Sequence, residues 1–122
     1  MKYPFRAVSF SYQKAPLAVR ELLALDEAAC GRLLHLVHHD LNLENLLVLS
    51  TCNRTEVYYS AATNQESAIV QALGQVAGVA NALEYQAYFT AFDAAGTAAH
   101  HLFEVLSGWM RRWWATPKSA TR

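Results

Sequence analysis

Four short stretches with the pattern of β-strands are separated by helical stretches, and their order is the feature that most constrains the fold. The predicted strands cover residues 5–11, 46–50, 55–60 and 84–92. The run 46–50 (LLVLS) is largely apolar and is expected to be a buried strand. Helical segments lie between the first two strands and between the last two, whereas the second and third strands follow each other closely. This order is typical of an α+β, ferredoxin-like split βαβ sandwich, with an antiparallel sheet and helices packed on one face.

Several residues predict where the helices begin. Pro16 can open a short helix, and Asp26 can cap a longer one whose apolar residues recur every three or four positions. Thr63 and Glu66 have the spacing of a capping box ahead of the next helix. Asp93 is expected to cap a last helix after the fourth strand.

The composition fits one compact domain in a reducing compartment. The chain has 122 residues, of which 53% are hydrophobic, and this suits a single core. Cys30 and Cys52 are interpreted as free thiols because no signal peptide is apparent, and Cys30 is assigned to the core. No apolar run approaches the roughly 20 residues that a membrane-spanning helix needs. We therefore expect a cytoplasmic protein with no membrane partner.

One segment between two predicted strands carries the most informative chemistry. Residues 49–58 are Leu-Ser-Thr-Cys-Asn-Arg-Thr-Glu-Val-Tyr, so that Cys52 lies at the turn beside Thr51, Asn53 and Arg54. Arg54 can favour the thiolate, which is the reactive form of cysteine. Thr51 and Asn53 can hydrogen-bond a polar substrate or a developing oxyanion. A free cysteine is more often a small buried hydrophobe, and that alternative remains open for Cys52.

Three segments resemble the N-terminal catalytic domain of glutamyl-tRNA reductases. Residues 49–58 are similar to the signature of that family. Residues 12–21 (YQKAPLAVRE) resemble its Lys-(Thr/Ala)-Ala-Pro turn followed by Arg-Glu, although the Asn-His that precedes the Lys in the family is absent. Residues 101–108 (HLFEVLSG) resemble the helix that bears the functional histidine of the family. We assign residues 1–108 to this domain.

The resemblance implies a role for each matching residue. Cys52 corresponds to the nucleophile that attacks the ester carbonyl of glutamyl-tRNA and becomes an enzyme thioester. Thr51, Asn53 and Arg54 correspond to substrate-binding positions, with Arg54 pairing with the carboxylate of the substrate. His101 corresponds to a histidine near the nucleophile that orients or polarises the ester, with help in acid–base chemistry as a further role.

The resemblance also implies components that these residues do not supply. In the family NADPH reduces the thioester to glutamate-1-semialdehyde, the committed step of tetrapyrrole (porphyrin) synthesis from glutamate. The sequence contains no Gly-x-Gly-x-x-Gly loop, so NADPH-binding and dimerisation domains are expected to be absent and no cofactor is expected on this chain. It is not expected to complete the reduction alone. The implied partners are glutamyl-tRNA, glutamate-1-semialdehyde aminotransferase and, for the full enzyme, a second subunit of a homodimer.

The histidines also have plainer interpretations. His101 lies beside the apolar stripe of the last helix, where a lone histidine is usually a boundary residue, and only the register of the family motif favours it over His100. His35 and His39 have the i, i+4 spacing of a metal pair, but no third ligand supports zinc. Together with His38 they are expected on a solvated helix face, and no metal site is expected.

The last fourteen residues differ in composition from the rest. Residues 109–122 hold all three tryptophans and four cations but no acid, whereas residues 1–108 hold six cations and ten anions, a formal charge of −4. Trp109 and Met110 have one codon each, and one C restored before TGG ATG gives CTG GAT G, the Leu-Asp with which the family continues. We expect a single-base frameshift after codon 108, which DNA sequencing tests. The alternative is a natural basic, aromatic tail that binds nucleic acid.

Two functions of other classes remain open. The chain could be a ferredoxin-like binding or regulatory module in which Cys52 is structural. It could also be a nucleic-acid-binding domain, although a charge of −4 over residues 1–108 argues against a basic footprint for phosphates. The reactivity of Cys52 relative to Cys30 separates an enzyme from a binding module.

Overall fold

The computed structural model describes residues 3–11, 13–51, 54–94 and 96–107. Its strands are β1 (Phe5–Ser11), β2 (Glu44–Ser50), β3 (Arg54–Ser60) and β4 (Phe89–Phe92). Its helices are α1 (Leu17–Leu23), α2 (Glu27–Asp40), α3 (Glu66–Ala77), a 3-10 helix (Ala82–Tyr88) and α4 (residues 96–107). The tail at 109–122 lies outside the described residues. Among the helices described, none has the length and apolar character needed to span a bilayer.

The four strands form one antiparallel sheet in the order β2-β3-β1-β4. Strand β1 lies in the middle, with Val8 opposite Val57 of β3 and opposite Ala91 of β4. Strand β2 pairs with β3 and forms one edge. This strand order and the mixed helix and strand content confirm the predicted α+β, ferredoxin-like split βαβ sandwich.

Helices α1, α2 and α3 cover one face of the sheet. Val8 and Phe10 of β1 and Val57 and Tyr59 of β3 point to this side, because side chains alternate between the faces of a strand. All four are at most 2% exposed. They belong to one cluster with apolar residues of the three helices: Val19, Leu23, Leu33, Val37, Ile69, Val70 and Leu73. The main core therefore lies between this face of the sheet and the three helices.

Helix α4 lies on the opposite face of the sheet. Its Ala98 is fully buried in a second cluster with Ala7 and Tyr58. The expected packing on one face therefore holds for α1, α2 and α3, and α4 adds a third layer. The same alternation of β1 and β3 turns two buried polar residues, Ser9 and Glu56, toward this layer.

Two strand predictions need correction. The predicted strand 84–92 is helical up to Tyr88, and β4 starts only at Phe89. A Cβ placed on Gly74 of α3 would lie 2.3 Å from the Cβ of Ala82, so close packing against α3 overrides the strand propensity of this segment. The run 46–50 lies in the edge strand β2 and is only partly buried. An edge strand has a neighbouring strand on one side only, so more of its surface remains in contact with solvent.

The predicted starts of the first two helices are confirmed. Pro16 immediately precedes α1, where its missing N–H costs nothing. Asp26 caps α2, and its carboxylate accepts a hydrogen bond from the amide of Ala29 at 2.7 Å. Helix α3 ends at Gly78, whose φ of 82° lies in the left-handed region that glycine adopts without strain.

The residues predicted to cap the other two helices have different outcomes. Helix α3 has no capping box, because Asn64 rather than Thr63 accepts from the amide of Glu66, at 2.6 Å. The carboxylate of Asp93 accepts a hydrogen bond from Asn64 at 2.8 Å and pairs with Arg6 at 3.5 Å. Asp93 therefore ties the start of the α4 segment to β1 and to the loop after β3.

Candidate functional site

The β2–β3 hairpin is where the most informative segment meets the sheet. The amide of Thr51 donates to the carbonyl of Arg54 at 2.8 Å, and β3 begins at Arg54. Cys52, the predicted nucleophile, and Asn53, a predicted substrate-binding residue, lie outside the described residues. The site is therefore built from Thr51 and Arg54, which flank them in the chain, and from the residues that Arg54 contacts.

Arg54 lies partly buried at the end of β3. Its side chain is 29% exposed, and its Nη1 lies 3.4 Å from Oε2 of Glu56. Its cross-strand partner is Ser11, the last residue of β1. The contact with Glu56 places the guanidinium on the α4 face of the sheet, with part of the side chain still reaching solvent.

Helix α4 brings His101 to the same face. The His101 side chain is 16% exposed, and its ring stacks on Phe92 with the centroids 4.2 Å apart. Its Nε2 lies 2.5 Å from Oε2 of Glu56. The neighbouring His100 is 75% exposed and faces Glu104 at 3.6 Å. Of the two adjacent histidines, His101 is the one that contacts the sheet.

Glu56 joins these residues, and its role was not predicted from the sequence. The residue is fully buried, and its Oε2 accepts a hydrogen bond from Ser9 at 2.6 Å in addition to the contacts with Arg54 and His101. Its Oε1 accepts one from Tyr58 at 2.5 Å. A buried charge persists only when it is paired and hydrogen-bonded. The available signal was its position two residues after Arg54, which places both on one face of a strand.

The surrounding donors set the charge of Glu56. Burial is the largest influence and raises the pKa of the carboxyl, but hydrogen bonds from Ser9, Tyr58 and His101 together outweigh it and lower the pKa from its ordinary value. The pKa of Tyr58 is raised, first by burial and then by its hydrogen bond to Glu56. At neutral pH Glu56 is therefore an anion that only accepts hydrogen bonds, and Tyr58 is a neutral donor.

Lys14, from the second informative segment, also lies near this face. Its Nζ donates to Oγ1 of Thr90 at 3.0 Å. Thr90 is the partner of Ser9 in the β1–β4 pair, and Ser9 donates to Glu56. The three segments that are far apart in the sequence therefore meet on the face of the sheet that α4 covers.

Cys30 has the environment of an unreactive thiol. It is a free cysteine of intermediate exposure on α2, so its assignment to the core is only partly correct. Burial raises the pKa of its thiol, and a hydrogen bond with Ser50 acts in the opposite direction with less effect. Since the thiolate is the reactive form, Cys30 is expected to react slowly near neutral pH.

The histidines of α2 form an exposed face, as predicted. His35, His38 and His39 are all exposed, and the rings of His35 and His39 lie 4.2 Å apart. Over the part of the chain that the structure describes, no group of three or more His, Cys, Asp or Glu residues is arranged to hold a metal ion. Nδ1 of His38 also lies 3.2 Å from the carbonyl oxygen of Leu43.

The arrangement around Glu56 has a defined chemical capacity. The guanidinium of Arg54 can bind a carboxylate through parallel N–H donors. An imidazole that is oriented by a carboxylate, as His101 is by Glu56, can pass a proton to or from a reacting group. The arrangement therefore suits a site that binds an anionic group and moves a proton.

Comparison with known proteins identifies the family to which this chain belongs. Residues 8–110 match the model of the glutamyl-tRNA(Glu) reductase N-terminal domain. The glutamyl-tRNA reductase of Cytophaga hutchinsonii is 38% identical over 101 residues, which cover 83% of this chain and 24% of the relative. That of Heliobacterium mobile is 35% identical over 106 residues, covering 83% and 23%.

The chain spans about a quarter of the length of these curated relatives. The matched region runs from Val8 in β1 to beyond the end of α4, and therefore includes Ser9, Arg54, Tyr58 and His101, which surround Glu56. The chain belongs to the glutamyl-tRNA reductase family, and residues 8–110 correspond to its N-terminal domain.

Proposed function

We propose that this chain is the acyl-accepting domain of a glutamyl-tRNA reductase, in which the thiolate of Cys52 attacks the ester carbonyl of glutamyl-tRNA. The products of this step are a glutamyl thioester on Cys52 and free tRNA. The observation that supports the proposal most is that Arg54 and His101 both contact one oxygen, Oε2 of Glu56. Arg54 is two residues from Cys52 in the chain, so this polar group lies beside the hairpin that carries the thiol.

Arg54 is proposed to bind the carboxylate of the substrate. A guanidinium has five N–H donors in a planar fork, and Arg54 contacts Glu56 through Nη1. With 29% of its side chain exposed, Arg54 can meet a second carboxylate from the solvent side. Its positive charge also favours the thiolate form of a nearby cysteine.

Thr51, Asn53 and His101 are proposed to complete the site. Thr51 is fixed by the backbone hydrogen bond that joins it to Arg54, and with Asn53 it would donate to or accept from the glutamyl group and the oxyanion. His101 would orient or polarise the ester and move the proton that acyl transfer requires. The resemblance of the 49–58 and 101–108 segments to the family supports these roles.

The later reaction is proposed for the complete enzyme rather than for this chain. NADPH supplies the hydride that reduces the thioester to glutamate-1-semialdehyde in tetrapyrrole synthesis. The five glycines of the sequence form no Gly-x-Gly-x-x-Gly motif, so these residues do not fit a nucleotide site of that kind and no step here depends on one. A cytoplasmic location, a homodimeric full enzyme and hand-over to glutamate-1-semialdehyde aminotransferase belong to the same proposal.

The relative reactivity of the two thiols tests this function. The full chain is treated with iodoacetamide near neutral pH, and alkylation at each cysteine is followed by peptide mass spectrometry. Cys52 should react roughly tenfold faster than Cys30, because a neighbouring cation favours its thiolate whereas burial disfavours that of Cys30. Cys30→Ser and Cys52→Ser serve as matched variants. Equal inertness of both thiols would favour a binding module in which Cys52 is structural.

A further inference from the structure

Several contacts around Glu56 have no role in the acyl transfer proposed above. Glu56 is fully buried in the middle of the sheet, yet it is ionised because Ser9, Tyr58 and His101 donate to it. Such a group is unusual in an apolar layer and is expensive to maintain. Two explanations are available: the network fastens α4 to the sheet, or it prepares His101 for a chemical task.

The contacts of the two carboxylate oxygens of Glu56 identify the tautomer of His101. Tyr58 donates to Oε1 at 2.5 Å, and His101 contacts Oε2 at 2.5 Å. An ionised carboxylate has no proton to give, so Nε2 of His101 must be the donor in that contact. The neutral ring is then the tautomer with its proton on Nε2 and a lone pair on Nδ1, and the hydrogen bond that His101 makes within the described residues uses Nε2.

The position of the ring is fixed as well as its tautomer. Phe92 stacks on the imidazole with an interplanar angle of 18°, and Oε2 of Glu56 contacts Nε2 of the ring. With 84% of the His101 side chain removed from solvent, few other ring orientations are available. A fixed ring with one free nitrogen suits a group that accepts a proton from a defined direction.

We propose that Glu56 is a positioning residue that acts through His101: it holds the Nε2–H tautomer and leaves Nδ1 as the proton acceptor in acyl transfer. This rests on the proposed function, since the acyl acceptor is Cys52. The Cys52 thiol gives its proton to Nδ1, and its sulfur forms a bond to the ester carbonyl carbon. The bond from that carbon to the ribose oxygen breaks, and this oxygen takes the proton from Nδ1. Glu56 touches neither the substrate nor the sulfur in this scheme.

The tautomer of His101 is measured first, by ¹H–¹⁵N correlation spectra of the full chain labelled at its histidine nitrogens. The His101 signals are identified by their loss in His101→Gln. The account expects a strongly deshielded proton on Nε2 in the wild type and its loss or marked upfield shift in Glu56→Gln. Tyr58→Phe is the structural control: it removes a donor to Oε1, lowers the urea midpoint and leaves the Nε2 proton in place. A wild-type His101 with its proton on Nδ1 would overturn the proposal.

The reaction is measured second, as the rate at which glutamyl-tRNA transfers its acyl group to Cys52. Glu56→Gln should lower this rate roughly 100-fold, and it should cause no further loss in a His101→Gln background. Equal losses in both backgrounds would show that Glu56 does not act through His101. If the wild type transfers no acyl group, the proposed function fails, while the histidine spectra still decide whether Glu56 sets the tautomer.

Discussion

Ser9 of β1 and Glu56 of β3 are direct cross-strand partners, and the Ser9 hydroxyl donates to the Glu56 carboxylate at 2.6 Å. The pair lies on the face of the sheet that α4 covers, where an apolar pair would be the simpler choice for packing. Because Glu56 is fully buried, its charge must be balanced by the donors that surround it. The Glu56 side chain therefore contributes both to the stability of the domain and to the placement of Arg54 and His101 in the site.

Removal of the Glu56 carboxylate should be strongly destabilising. In Glu56→Ala the partners Ser9, Tyr58 and His101 lose their acceptor, and we expect the free energy of unfolding in urea to fall by about 3 kcal/mol. The matched control is Glu44→Ala, since Glu44 is an exposed glutamate on the edge strand β2. Its effect should stay within about 0.5 kcal/mol. Similar losses in the two variants would contradict the buried network.

The stability of the fold should depend on acid pH through the same residue. The ordinary pKa of a glutamate is near 4.5, and that of Glu56 is lower in the folded chain. The folded state thus binds this proton less readily than the unfolded state, so the stabilisation is complete above pH 4.5 and is lost as the pH falls through the folded value. The groups that face the carboxylate are Arg54 and Tyr58 of β3, Ser9 of β1 and His101 of α4.

Urea unfolding at a series of pH values measures this dependence. The difference in unfolding free energy between the wild type and Glu56→Gln should be constant above about pH 5 and should shrink at lower pH. The unfolding free energy of Glu44→Gln should follow that of the wild type at every pH. A difference that grows as the solution becomes more acidic would mean that the pKa of Glu56 is raised by burial instead of lowered by its donors.

Two glycines in helices should respond in opposite directions to alanine. A Cβ on Gly74 of α3 would lie 2.3 Å from the Cβ of Ala82, whereas a Cβ on Gly31 of α2 has nothing within 4 Å. Gly74→Ala should therefore cost about 1–3 kcal/mol of unfolding free energy through overpacking. Gly31→Ala should add about 0.5–1 kcal/mol, because alanine favours the helix. Thermal or urea unfolding of both variants measures these changes. A higher unfolding free energy for Gly74→Ala than for the wild type would refute the close packing of α3 on the 3-10 helix.

Much of the fold followed from local patterns in the sequence. Pro16 and Asp26 mark the starts of α1 and α2 because capping depends on neighbouring residues alone. The strands at 5–11 and 55–60 were likewise predicted from local residue patterns, and both are present as β1 and β3. The 3-10 helix before β4 was not predictable in this way, since its conformation depends on the contact between Ala82 and Gly74, two segments that are separate in the chain.

The candidate site was predicted only in part. Residue type and the resemblance selected Arg54 and His101, and the structure brings both to the carboxylate of Glu56. Glu56 itself was missed because a lone acid in a strand usually faces solvent, and its burial depends on α4 covering the second face of the sheet. The choice of His101 over His100 likewise needed the direction in which α4 packs.

The central claim is that Cys52 accepts the glutamyl group of glutamyl-tRNA, and intact-mass and peptide mass spectrometry of the full chain after incubation with this substrate test it most directly. The account predicts a mass increase of one glutamyl residue, located on Cys52 and released by hydroxylamine as a thioester should be. The adduct should persist in Cys30→Ser and be absent in Cys52→Ser. A folded wild-type chain that acquires no adduct, or an adduct that survives in Cys52→Ser, would contradict the account.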